Sequence, residues 1–135
     1  PSTPALDPDD PFAGRIPQKK EKIVIHNVLF AFDKHDRILP SSERVLGQLG
    51  KYLKRTPKFH RLQIEGHTCS LGPRGYNHEL SWKRSETIRR WLVKRFGLNG
   101  ERIVTGGFGE TSPLSSNASF SGRQLNRRVE FKIYR

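Results

Sequence analysis

Between Gly66 and Arg84 the chain reads GHTCSLGPRGYNHELSWKR, a stretch that gathers two histidines, a lone thiol, an asparagine and two arginines. Arg84 makes the clearest chemical demand. From His78 to Phe96 the apolar residues Leu80, Ile88, Trp91, Leu92 and Phe96 recur at spacings of three and four, which predicts one helix with a buried stripe. Arg84 falls on that stripe, midway along the row Leu80, Arg84, Ile88, Leu92. A guanidinium turned toward a core needs an anion to offset its desolvation. The anion is either an internal carboxylate, with Asp33 and Glu65 as candidates, or part of a bound ligand.

Other chemistries have weaker support. His67 and Cys69 stand two apart without an acid to orient the imidazole, so a nucleophile–base pair is not expected. As metal ligands they are two where four are needed, with no paired Cys or His motif to complete the set, so neither a metal nor a cofactor is expected. Gly106, Gly107 and Gly109 are followed by no Lys-Ser or Lys-Thr and open no helical pattern, which makes them a tight turn rather than a phosphate loop. Cys69 is the only cysteine and excludes an internal disulfide.

The formal net charge of +12 implies attraction to polyanions or acidic surfaces. Much of it lies in the second helix, where Lys83, Arg84, Arg89, Arg90, Lys94 and Arg95 face one acid, Glu86, and form a basic face suited to an acidic partner. No zinc-finger spacing or aromatic RNA-binding strand accompanies the charge, so nucleic acid is not the expected partner. The longest apolar run, Val28 to Phe32, is far short of the roughly 18 to 20 residues of a membrane span. The sequence starts at Pro1 without a start methionine or an apolar signal segment and reads as a mature or trimmed form.

The elements that must position these residues follow from periodicity. Five of the nine prolines fall between Pro1 and Pro17 beside Asp7, Asp9 and Asp10, so residues 1–21 are expected to be a flexible linker and residues 22–135 the folded domain. Ile23 to Asp33 predicts a strand, with a bend near Asn27 where the alternation changes parity. Pro40 opens a helix whose apolar face is Val45, Leu46, Leu49, Tyr52 and Leu53, stopped by Thr56-Pro57. Phe59 to Glu65 alternates as a second strand, and the turn residues Ser70 to Gly75 lead to the second helix, which ends at Gly97. Ile103 to Phe108 is a third strand, and Arg127 to Arg135 a fourth, reached through a loop. Strands alternating with helices imply an α/β two-layer sandwich.

Four segments, in order, resemble the OmpA C-terminal-like family of peptidoglycan-binding domains, which includes Pal lipoproteins and the flagellar stator protein MotB. They are Phe30-Ala31-Phe32-Asp33; Gly66-His67-Thr68-Cys69 with Gly72, Tyr76-Asn77, Leu80-Ser81 and Arg84; Gly107-Phe108-Gly109-Glu110 with Pro113; and Asn126-Arg127-Arg128-Val129-Glu130. The resemblance implies a βαβαβ-β domain, a mixed sheet of about four strands covered by helices. It also implies a module that is not an enzyme and that binds the diaminopimelate of the peptidoglycan stem peptide, in the periplasm and associated with the outer membrane, with room for a lipid anchor upstream of Pro1. In the family an aspartate and an arginine hold the ammonium and α-carboxylate of diaminopimelate. The arginine position is Arg84, and a guanidinium fork suits bidentate capture of a carboxylate. The aspartate position, fifteen residues earlier, is Cys69. Thr68, Asn77, Asp33 and Arg128, from the same motifs, complete the expected ligand-binding set.

A thiol is mostly neutral at pH 7 and a weak acceptor, so this departure should cost about 1.5 to 3 kcal/mol of binding. An alternative reading follows: a degenerate relative with weak or no peptidoglycan binding, acting as a structural subunit of an outer-membrane assembly such as a secretion-system core complex. In either reading the basic helix face is available to other proteins of the envelope.

Overall fold

The computed structural model describes residues 20–26, 28, 38–55 and 59–135. The sheet strands are β1 (Lys20–His26), β2 (Arg61–His67), β3 (Ile103–Gly109) and β4 (Arg128–Tyr134). The helices are α1 (Pro40–Leu53), α2 (Arg74–Phe96) and α3 (Phe120–Asn126), with a 3-10 turn at Gly100–Arg102. The strands form one mixed sheet in the order β1-β4-β2-β3, with β2 parallel to β3 and β4 antiparallel to both β1 and β2. This is the expected α/β sandwich.

Several boundaries differ from the sequence reading, β2 among them, which runs Arg61–His67 rather than Phe59 to Glu65. Strand β1 begins at Lys20, two residues inside the stretch assigned to the linker, because Lys20 and Glu21 pair with Tyr134 and Ile133. Helix α1 opens at Pro40 as expected and stops at Leu53. Helix α2 begins at Arg74, four residues before His78, and closes on Gly97, whose φ of 65° and N–H bond to the Val93 carbonyl form a left-handed cap. The stretch read as a loop before β4 contains α3, capped by the Ser119 hydroxyl, which accepts from the Gly122 N–H at 2.9 Å. Asp33, the bend at Asn27 and residues 1–19 lie outside the described residues.

Alternation in the strands sorts side chains by face. Leu62, Ile64, Val129, Phe131 and Ile133 turn toward the helices and form the core with Leu46, Leu49, Leu53, Ile88 and Leu92. The half of α2 nearest its N-terminus is buried differently from the sequence reading. Its buried positions are Asn77, Ser81 and Ser85, whereas Leu80 and Arg84 are half-buried beside them. The cause lies in the sheet, where a Cβ on Gly66 would stand 2.3 Å from the Ser81 carbonyl oxygen and one on Gly107 would stand 2.5 Å from the Trp82 nitrogen. Two glycines thus let the helix backbone approach the strands until only small residues fit between. The Ser81 hydroxyl accepts from the Gly109 N–H at 2.9 Å and donates to the His78 carbonyl at 2.8 Å, locking α2 to the end of β3.

The basic face of α2 is also partly consumed. Arg89 donates to the carbonyls of Gly100 (2.7 Å) and Ile103 (3.2 Å) and ties down the turn that enters β3. Arg95 sits over the Trp91 ring and 3.8 Å from Glu43, which also accepts from Trp91 Nε1 at 3.0 Å.

Candidate ligand-binding site

Strand β2 ends at His67 and delivers Thr68 and Cys69 to the edge of the helical layer. The Thr68 N–H donates to the Gly109 carbonyl at 2.7 Å, so the loop leaves the sheet still fastened to β3. Asn77, in the first turn of α2, closes the loop from the other side: its Nδ2 donates to the carbonyl of Leu71 (2.8 Å) and lies within reach of those of Gly72 (3.3 Å) and Cys69 (3.4 Å). Gly72 turns the loop with φ of 91°, which favours glycine. Asn77 is 4% exposed and works as a clamp that shapes the loop.

Thr68, Cys69 and Asn77 are therefore brought together at one end of the sheet. Arg84 lies seven residues after Asn77, two turns along the same side of α2. Cys69 is buried, and its thiol stands where a carboxylate was expected. The Thr68 hydroxyl is also buried and finds no hydrogen-bond partner among the described residues. A buried hydroxyl without a partner is unusual in a folded protein and suits a site that a ligand completes.

Two expected residues behave otherwise. Glu65 does not pair with Arg84: it lies on the face of the sheet turned away from the helices, where Lys132 Nζ contacts it at 3.0 Å and Gln63 donates to it at 2.7 Å. Arg128 has its guanidinium committed to Glu130 (2.6 Å), the Ser112 carbonyl (2.8 Å) and the Asn126 carbonyl (3.3 Å). It braces the segment before α3.

Sequence reasoning missed the charged layer on that outer sheet face. Register places Glu65 directly opposite Glu130, a repulsive pairing unless cations intervene. Lys132 serves Glu65, while Arg128 and Lys22 (3.1 Å) serve Glu130. His67 Nε2 stands 3.9 Å from both carboxylates, and the ring stacks on Phe108 with centroids 5.1 Å apart. Burial opposes ionisation of Glu65, but the neighbouring His67 ring and the hydrogen bond and charge of Lys132 prevail and hold its carboxyl below the ordinary value. Burial likewise opposes ionisation of Glu130, and Arg128 and Lys22, with His67 adding charge, hold it low.

Because both carboxyls are depressed when folded, their stabilisation is complete above the unfolded glutamate value near 4.5 and is lost as pH falls through the lower folded values. Thermal melts should be flat from about pH 7 to 5 and fall steeply below about 4.5. Glu130→Gln should lower the neutral plateau and soften the acid limb, whereas an acid limb identical in parent and variant would remove this pair from the account.

The OmpA family model matches residues 29–127. Outer membrane porin F of Pseudomonas aeruginosa is 36% identical over 107 residues, covering 79% of this chain and 30% of that protein. Peptidoglycan-binding protein ArfA of Mycobacterium tuberculosis is 36% identical over 96 residues, 71% of this chain and 29% of that protein. The chain thus spans about 30% of the length of these relatives. Among solved structures, the cell wall anchor of the type VI secretion system (T6SS) of Pseudomonas aeruginosa superposes with a TM-score of 0.72 at 25% identity, over 85% of this chain and 81% of that one. The peptidoglycan-associated lipoprotein of Burkholderia pseudomallei gives 0.66 at 27%, over 82% and 91%. The loop held between β3 and α2, the glycines that admit the helix to the sheet and the parallel pair β2 and β3 all lie within the matched span, and the chain belongs to the OmpA family.

Proposed function

We propose that this domain is a non-catalytic anchoring module that holds the cell wall at the end of the sheet that carries Thr68 and Cys69, with Arg84 of α2 as the carboxylate-binding group and the diaminopimelate of the stem peptide as its ligand. The observation that carries the reading is the buried Thr68 hydroxyl beside Cys69, which has no hydrogen-bond partner among the described residues, in a loop clamped on both sides. The names of the relatives support the same direction, since one is a peptidoglycan-binding protein and one a cell wall anchor. The buried His67 has no hydrogen bond to a nucleophile among the described residues and faces carboxylates that are already balanced by cations, which favours binding over catalysis. Such a module works in the periplasm, against the wall and close to the outer membrane.

A second reading rests on Cys69. Without a carboxylate there, the pocket grips only half of a zwitterion, and the domain serves as a structural subunit of an envelope assembly. Co-sedimentation with purified sacculi at physiological salt separates the two. Retention that free meso-diaminopimelate displaces supports anchoring. Retention that only salt reverses, and that DNA competes away, reduces the interaction to net charge.

A further inference from the structure

The end of the domain opposite the candidate site is a cationic pole. Strands β2 and β3 start there at Arg61 and Ile103, β4 finishes there with Tyr134 opposite Arg61, and β1 begins there with Lys20 opposite Tyr134. Both long helices end there as well: Arg135 donates to the carbonyls of Tyr52 and Arg55, and Gly97 to Asn99 lie against Leu53 and Phe59. Lys51, Lys54, Arg55, Lys94 and Arg95 are exposed on this end. Among the described residues, its acids are Glu101, which is exposed, and Glu21, which is bound to Arg135 at 2.7 Å. Glu43 stands 3.8 Å from Arg95 and accepts from Trp91 Nε1.

Cations in the last turn of a helix offset the helix dipole, which accounts for Lys51, Lys94 and Arg95. It does not account for Lys54 and Arg55, which follow α1, or for Arg102, at the end of the 3-10 turn, nor for the groove between them. That groove encloses about 340 Å³ and is lined by Leu53, Phe59 and Leu98 together with Lys54, Asn99 and Arg102. An apolar slot with two cations in its wall, inside a larger basic surface, matches an amphiphile with an anionic head. Nucleic acid would use the charges and leave the slot unused.

We infer that this pole is a docking surface for the anionic headgroups of a lipid bilayer. Headgroup phosphates meet Lys54 and Arg102, the glycerol region enters the apolar slot, and Lys51, Arg55, Lys94 and Arg95 lie along the surface. Each cation near such a surface contributes roughly tenfold or somewhat less in partitioning. The inference stands apart from the ligand site, because a seven-residue strand sets the two ends about 23 Å apart. A domain with both surfaces occupied would bridge wall and membrane.

The test is flotation of the full chain with vesicles of phosphatidylcholine alone and of an equimolar mixture with phosphatidylglycerol, at physiological ionic strength. Binding to the mixed vesicles and not to the neutral ones is expected. The triple variant Lys51→Gln, Lys54→Gln, Lys94→Gln should bind roughly 100-fold more weakly. A control of equal charge change off the pole, Arg44→Gln, Arg74→Gln, Lys83→Gln, should lose less than about threefold. Equal losses in the two triples would reduce the effect to net charge and overturn the inference. Full displacement from vesicles by polyglutamate at matched charge would assign the pole to an acidic protein surface instead, and absence of any preference for anionic vesicles would end the proposal. Melting temperatures of both triples verify that folding is intact, and sacculus binding by the same proteins reports on the ligand site separately.

Discussion

Arg84→Ala should lower retention on cell-wall sacculi by one to two decades while the domain stays folded. The magnitude follows from one charge-assisted, bidentate contact to a carboxylate, worth about 1.5 to 3 kcal/mol. The structure adds a reason to expect tolerance of the substitution. Arg84 is half-buried rather than enclosed, and the close helix–sheet contact is made by Ser81 and Ser85 against Gly66 and Gly107. Alanine also raises helix propensity slightly. Arg84→Lys sharpens the test, because it retains the charge and loses the fork; a capture role predicts intermediate binding, whereas a role in general attraction predicts nearly full binding. Binding isotherms and melting curves for the three proteins decide the matter. Normal sacculus binding by Arg84→Ala with a melting temperature lowered by many degrees would make the arginine a structural element, and the proposed site would have to be abandoned.

How far this arrangement was legible from the chain depends on which interactions are local. The alternation of Val129, Phe131 and Ile133 and the glycine that ends α2 report directly on strand and helix, since each is set by backbone geometry within a few residues. The buried stripe in the first half of α2 was not legible, because hydrophobic periodicity selects Leu80 and Arg84 while the true interface consists of Asn77, Ser81 and Ser85. Those small polar residues are buried only because Gly66 and Gly107, distant in sequence, remove two Cβ atoms from the facing strands. Gly66 in β2 beside the glycines of β3, Gly106, Gly107 and Gly109, is the signal that points to such a close approach. Helix α3 was hidden for a related reason: Phe120 and Leu125 remain exposed, so its sequence shows no buried stripe. The opposition of Glu65 and Glu130 depends on register between β2 and β4, which no local pattern encodes. The same non-local contacts removed residues from the functional inventory, since Arg128 is spent on Glu130 and Ser112, and Arg89 on the turn before β3.

The largest gain is expected from Cys69→Asp. The substitution places a carboxylate in a loop whose backbone is already held by Thr68 to Gly109 and by Asn77 to Leu71, neither of which uses the cysteine side chain. Loop shape should therefore survive. A carboxylate at this buried position lacks solvent, so the unliganded variant should melt lower than the parent. Diaminopimelate supplies an ammonium to the new carboxylate and a carboxylate to Arg84, and its affinity should rise by one to two decades through the recovered charge-assisted bond. The melting temperature should recover on adding ligand in proportion to that affinity. Cys69→Asn separates charge from shape, because an amide of the same size accepts a hydrogen bond without neutralising an ammonium, and should give less than half of the gain in free energy. Titration of free meso-diaminopimelate into the three proteins by calorimetry or NMR gives the comparison. A parent that already binds tightly, with no gain from Cys69→Asp, would mean that another acceptor holds the ammonium and that the thiol does not weaken the site. No binding by any of the three would mean that the pocket itself has changed, and the structural-subunit reading would then stand.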